Sequence, residues 1–356
     1  MRTMNFMLWF IIRQLLLLVI LSAAWLYALD FMRTEYRESL KEPIPQIYYV
    51  NAYTPSEEET GAWLYPFHSI SKALEHAHEN AVPLIVISEG IYNEKIIVPD
   101  NITLFGNGIV KVARDKEASG ATVTVGNHTK LFNIQFSGGR DVLTIPLGTT
   151  TDISKSTFSQ GDRYGIYMEK KERPKPEPTL YDTPKPPTYE IKDLTEAEIA
   201  NLPLVTFRKI VVKENDNQGL YLRDGRIILT DSLIINNGEE GIDLHPHLHA
   251  TVKNNIASNN GESGLESEIY DNIVLIENNI FDRNVKNGVA FLTSDGIGAI
   301  TLLNNTMTNN LRFGMRCAIH KDPPKRPRPF FRTLISRENN IIEEYTSLIA
   351  RECYTF

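Results

Sequence analysis

Apolar residues in this chain come in short runs, broken at regular intervals by asparagine and glycine. GRIILTDSLIINN, YDNIVLIENNIF and GAITLLNNTM each carry Val, Ile and Leu in alternation, which is the period-two pattern of strands and not the three-and-four spacing of a helix. Glycine returns at Gly219, Gly241, Gly264, Gly288 and Gly314, in steps of 22, 23, 24 and 26 residues, and an apolar residue always follows it. Ten residues before the last four of these glycines stands a polar pair: Asp231-Ser232, Asn254-Asn255, Asn278-Asn279 and Asn304-Asn305. Four residues before them stands Asn237, Asn260, Asn284 or Asn310.

A unit this short cannot bury its own apolar face, so the repeats must stack and share one continuous core. Asparagine suits such a stack twice over, because it tolerates left-handed backbone at turns and its amide can ladder from coil to coil. The pattern predicts an all-β parallel β-helix. A leucine-rich repeat is the nearest alternative, but its LxxLxL spacing is missing. The residue after each glycine (Leu220, Ile242, Leu265, Val289, Met315) is expected to point inward. Residues two and four after the glycine then point outward, namely Tyr221 and Arg223, Asp243 and His245, Glu266 and Glu268, Ala290 and Leu292, Arg316 and Ala318. Ile242, Leu265 and Val289 should form a buried row with Asp243 and Glu266 exposed beside it.

The pattern changes at both ends of the solenoid. HSISKALEHAHENA places Ile70, Ala73, Leu74 and Ala77 on one helical face, with Ser69 or Ser71 as cap, and this helix is expected to cover the open end. Residues Met7 to Leu29 are overwhelmingly apolar and long enough to cross a bilayer. An uncleaved signal anchor over 1–30, a juxtamembrane stalk over 31–46 and a β-helix over 47–356 follow, with Arg2 and Arg13 placing the amino terminus in the cytoplasm and the rest outside. A cleaved signal peptide is the alternative. Two insertions interrupt the coils: a proline-rich one over 169–204, whose Thr195 to Glu198 fits a capping box, and a basic one over 321–330. Both leave the solenoid from the same edge of one face, five coils apart, as the walls of a groove would.

The 356 residues carry a net charge of −7, which argues against nucleic acid as a partner. Cys317 and Cys353 are the only cysteines, so the chain is no disulfide scaffold; the two either bridge the last coil to the carboxyl terminus or are buried free thiols. His245, His247 and His249 alternate, but Pro246 and the turn expected after His247 argue against a metal site, and the sequence calls for no cofactor.

YPFHSISKALEHA and SEGIYNEKIIV resemble the amino-terminal cap of right-handed parallel β-helices of the pectate-lyase-like superfamily, over roughly residues 47–345. The stretch from Asn237 to Phe291 resembles the catalytic coils of mannuronan (alginate) C5-epimerases. Asp243 and His245 fall on that family's Asp-Pro-His run, Glu268 on the acid one coil later, and Lys286 on its arginine. Leu244 replaces the proline, Glu240 stands where one branch has tyrosine, and lysine replaces arginine.

The resemblance implies abstraction of the C5 proton of a uronate. His245 would be the base, Asp243 its orienting partner and Tyr221 a proton donor. Lys286, Arg223 or Arg316 would neutralise the carboxylate. Glu266, Glu268 and the basic-loop residues Lys325, Arg326 and Arg328 would contact the substrate. Expulsion of the glycosidic oxygen would make the same residues a lyase. The expected partner is an acidic polysaccharide, met outside the cell by a membrane-anchored protein. A non-catalytic glycan-binding or structural module accounts for the same strip, since the outward positions of any soluble β-helix are polar.

Overall fold

A computed structural model describes residues 47–55, 57–169, 195–269, 272–293, 299–319 and 334–342. The expected membrane anchor and stalk (residues 1–46), most of the first insertion (170–194), the whole basic loop and Cys353 lie outside the described residues. Among the described residues no helix is long and apolar enough to cross a membrane.

The chain winds into a parallel β-helix with three strands per regular coil. One such coil runs Ile242–Leu244, Leu248–Lys253, Ile256–Ser258, and each strand pairs in parallel with its counterparts in the coils before and after it. The second and third strands of the coils belong to a 19-stranded sheet. The first strands make a separate nine-stranded face, here β1 (Ile96–Val98), β2 (Ala121–Val125), β3 (Asp141–Pro146), β4 (Tyr164–Glu169), β5 (Leu220–Leu222), β6 (Ile242–Leu244), β7 (Leu265–Ile269), β8 (Asn287–Thr293) and β9 (Phe313–Ile319).

The register on this face is the one the glycine spacing predicts. Ile166, Leu220, Ile242, Leu265, Val289 and Met315 are successive cross-strand partners, and all are buried. Tyr167, Tyr221, Asp243, Glu266, Ala290 and Arg316 form the neighbouring outward row. Two members of that row are less accessible than expected. Asp243 is only 7% exposed, because the His245 ring folds back onto its carboxylate, and Ala290 is 1% exposed.

Each polar pair divides its work between turn and ladder. The first member, Asp231, Asn254, Asn278 or Asn304, takes left-handed backbone with φ between 54° and 57°. The second, Ser232, Asn255, Asn279 or Asn305, is buried and hydrogen-bonded to the next coil. A second ladder runs through Asn215, Asn237, Asn260, Asn284 and Asn310, whose amides donate to one another at 2.8 to 3.0 Å. This ladder explains the recurring glycine. A Cβ on Gly241 would lie 2.7 Å from the Asn260 amide nitrogen and 2.8 Å from the carbonyl of Gly264, so any side chain would wedge adjacent coils apart.

Helix α1 (Ile70–Glu79) buries Ile70, Ala73, Leu74 and Ala77 as the pattern predicts, and Ser69 accepts from the Lys72 N–H as its cap. Ser71 instead donates to Glu94 at 2.6 Å. The second helix, α2 (Glu196–Ala200), carries the predicted capping box of Thr195 and Glu198. Glu169 and Leu204 belong to flanking strands, so the first insertion spans 170–203 instead of 169–204. Cys317 is 1% exposed and disulfide-bonded, which removes the free-thiol alternative for it.

Candidate functional site

Strand β4 ends at Glu169 and β9 at Ile319, where the two insertions depart from the same edge of the nine-stranded face. Between them lies the strip of outward residues. It has an aromatic half and an acidic half.

The aromatic half begins on β4, where alternation turns Tyr167 outward and Tyr164, three residues earlier and across Gly165, brings its ring to the same surface. Their rings stack 5.1 Å apart; Tyr164 stacks in turn on Tyr221 of β5 at 5.2 Å, and Tyr167 meets the same ring at 5.5 Å, tilted by 48°. The Arg163 guanidinium lies over both, 4.3 Å from the Tyr164 ring and 4.8 Å from that of Tyr167, and is held by two 2.9 Å bonds to Asp141. The series continues into the next coil, since the Tyr221 and His245 rings are 4.1 Å apart. Arg223, in the same coil as Tyr221, is half-buried and bonded to Asp224 at 2.8 Å.

In the acidic half, His245 sits between two carboxylates. Its Nε2 is 2.9 Å from Asp243 Oδ2, and its Nδ1 is 3.4 Å from Glu268 Oε2 one coil on. Burial alone would lower the imidazole pKa, but the two carboxylate partners outweigh it and raise the pKa to about 9. The ring is therefore an imidazolium at neutral pH, donating from both nitrogens. Burial, then the neighbouring charges of Asp243 and Glu262, push Glu266 up to about 7, against the opposing pull of Lys286 and Arg316. Burial keeps the Tyr221 phenol neutral, with its pKa raised to about 12.

Lys286 is placed differently from the sequence expectation. Its ammonium is paired with Glu262, and it belongs to a cluster at the entry edge of the face. There the buried Glu240 has its pKa raised by desolvation, and its hydrogen bond to Glu262 holds the Glu262 pKa down. Glu240 is the proton donor of that pair, and Gln218 donates to its other side at 3.2 Å.

The face thus brings together Tyr221, Arg223, Asp243, His245, Glu266 and Glu268, which the spacing selects. It adds Tyr164, Tyr167 and Arg163, which the spacing misses. Lys325, Arg326 and Arg328 lie outside the described residues. Among those residues no three His, Cys, Asp or Glu side chains converge as a metal site requires. Chemically, the strip offers a carboxyl group able to gain or lose a proton near neutrality, a neutral phenol and a fixed cation.

The sequence profile of the right-handed β-helix region matches residues 197–326. Similar solved structures include the Dettilon tailspike protein, 13% identical with a TM-score of 0.50, covering 77% of this chain and 54% of that one. Pectate lyase Pel9A is 13% identical with a TM-score of 0.43, over 83% and 79% of the two chains. The A-module of the Azotobacter vinelandii mannuronan C-5 epimerase AlgE6 is 13% identical with a TM-score of 0.37, over 76% and 93%. The chain spans about half the length of the tailspike protein. A sequence search of curated proteins finds no match. The fold is a right-handed parallel β-helix, and at these identities the likeness extends to fold alone.

Proposed function

We propose that the nine-stranded face binds an acidic polysaccharide and removes the C5 proton of a uronate unit, as an epimerase or a lyase. One observation carries this reading. Along the outward row, Tyr221, Asp243 and Glu266 are consecutive cross-strand partners, so Glu266 and the neutral Tyr221 flank the His245 coil from opposite sides. At roughly 4.8 Å per strand, about 10 Å separates their backbones, which is room for one sugar ring.

In this arrangement Glu266 is the base, since its pKa of about 7 matches the working pH of a general base. His245, already protonated, takes the place of the cation over the uronate carboxylate and stabilises the enolate that forms there. Tyr221 returns a proton to C5 from the other face, which inverts the centre. If the glycosidic bond at C4 breaks instead, its electrons leave with the oxygen, Tyr221 protonates that oxygen, and an unsaturated end remains. Arg223, which follows β5, and Arg316 on β9, four coils or about 19 Å apart, would anchor carboxylates of neighbouring units. The tyrosine series offers a sugar platform along the same axis.

The test is incubation with polyuronates in heavy water. Deuterium at C5, or unsaturated ends absorbing in the ultraviolet, is the expected result. New reducing ends without exchange would reassign Glu266 to acid catalysis of hydrolysis, and binding without turnover would make the face a lectin-like module.

Residues Met7–Leu29 would tether this solenoid to the outer side of a membrane. The full chain should then fractionate with membranes and become soluble when residues 1–40 are deleted. A native soluble species beginning near Leu29 would show a cleaved signal instead.

A further inference from the structure

The first coil carries an apolar feature that the polysaccharide site does not use. Residues Ala62 to Tyr65 form a tight turn, closed by the Tyr65 N–H donating to the Ala62 carbonyl at 3.0 Å. Its two central positions are Trp63 and Leu64, 66% and 73% exposed. Such positions ordinarily hold Gly, Pro, Asn or Asp, whose backbone preferences or local hydrogen bonds suit a turn, and neither Trp nor Leu serves the turn in that way. Tyr53, 68% exposed, is a further solvent-facing aromatic near this end of the solenoid.

The turn is rigidly mounted. Thr60 and Gly61 both donate to the Tyr65 carbonyl, Tyr49 donates to Gly61 at 2.9 Å, and Phe67 donates to Tyr49 at 2.9 Å. The Trp63 ring packs edge-on against Tyr49, 5.2 Å away. Tyr49 lies in Ile47–Val50, the strand through which the chain enters the solenoid. Only residues 30–46 separate that strand from the apolar span Met7–Leu29, and this stretch reaches at most about 60 Å when fully extended. Tryptophan, tyrosine and leucine on a fixed protrusion match the composition of a bilayer interface, where an aromatic ring can keep one edge wet and the other apolar. Glu57 and Glu58 are exposed in the same connection, which favours neutral over anionic lipid headgroups.

We infer that the Trp63–Leu64 turn is a second membrane contact, inserting into the headgroup region of a zwitterionic bilayer and fixing how the solenoid is presented. The inference rests on the tethering by Met7–Leu29 proposed above. Insertion is shallow, about 5 to 10 Å, and does not depend on salt.

The chain has three tryptophans, so Trp9→Phe with Trp25→Phe leaves Trp63 as the sole reporter. The full chain carrying both changes is reconstituted into phosphatidylcholine vesicles and floated. In the floated fraction, Trp63 emission should be blue-shifted and quenched by lipid brominated near the headgroup, with little quenching by aqueous iodide. The unaltered chain should lose the same quenched component on Trp63→Ser, which keeps the result independent of the anchor substitutions. A chain that floats while Trp63 remains quenched by iodide and indifferent to bromolipid overturns the inference and leaves the tether standing. Protection that instead rises with protein concentration assigns the turn to a protein contact and overturns it as well. A chain that does not float removes the tether and the inference together, without touching the uronate reading.

Discussion

Glu266→Gln should abolish C5 exchange on polyuronates, lowering kcat by a factor of about 100 to 10,000, the usual range for a positioned general base. The substitution keeps the side chain's shape and removes only its ability to take a proton. Binding should survive, because the amide that replaces the carboxylate still sits between Asp243 and Ala290 in the outward row and carries no charge that the cations of the strip must balance. His245→Ala is expected to act through both parameters. It removes the cation from the carboxylate and leaves Asp243, only 7% exposed, and Glu268 without the imidazolium between them. The two variants separate the roles: a kcat defect alone for Glu266, and a combined kcat and KM defect for His245. Full activity in Glu266→Gln, with His245→Ala inactive, would return the basic role to the imidazole.

The backbone of this site was legible in the sequence because a solenoid converts spacing into position. Once Gly241, Gly264 and Gly288 are aligned, Asp243 must neighbour Glu266, and Ile242 must neighbour Leu265, whatever their side chains do. The asparagine pairs were legible for the same reason, since a turn and a ladder impose their residue types locally. Tyr164 and Tyr167 escaped because the insertion after Glu169 stretches the step from Gly165 to Gly219 to 54 positions and hides the periodicity. With that insertion removed, GIY of β4 falls on GLY of β5, and the tyrosine series becomes visible. Side-chain partners were less legible. Lys286 occupies the expected position in its coil, but its long stem reaches Glu262 in the preceding coil, a choice of rotamer that spacing does not encode. The charge state of His245 depends on two carboxylates from two coils converging on one ring, and on how little water reaches them.

That charge state gives the second large effect, a bell-shaped pH dependence of exchange. Glu266 must be ionised to accept the C5 proton, so activity should rise through about pH 7. His245 must stay protonated, so activity should fall through about pH 9. A histidine acting as base with an ordinary pKa would give only a rising limb near 6.5, and that profile would sink the assignment. Stability runs in the same direction on the alkaline side. The raised His245 pKa contributes stability that is complete below its unfolded value and is lost as pH rises through about 9. The raised Glu266 pKa likewise favours the fold below about 4.5, and that contribution is lost through about 7. Circular dichroism at each pH therefore has to accompany the rates, so that a falling limb is assigned to His245 only where the fold is intact. Glu262→Gln fixes the sign on the acidic side. The Glu262 charge raises the Glu266 pKa, while Lys286, which Glu262 now holds, lowers it. Removing that carboxylate withdraws the repulsion and frees the ammonium, so both changes push the acidic limb to lower pH and leave the limb near 9 in place. A profile that does not move would mean that the rising limb belongs to a group other than Glu266.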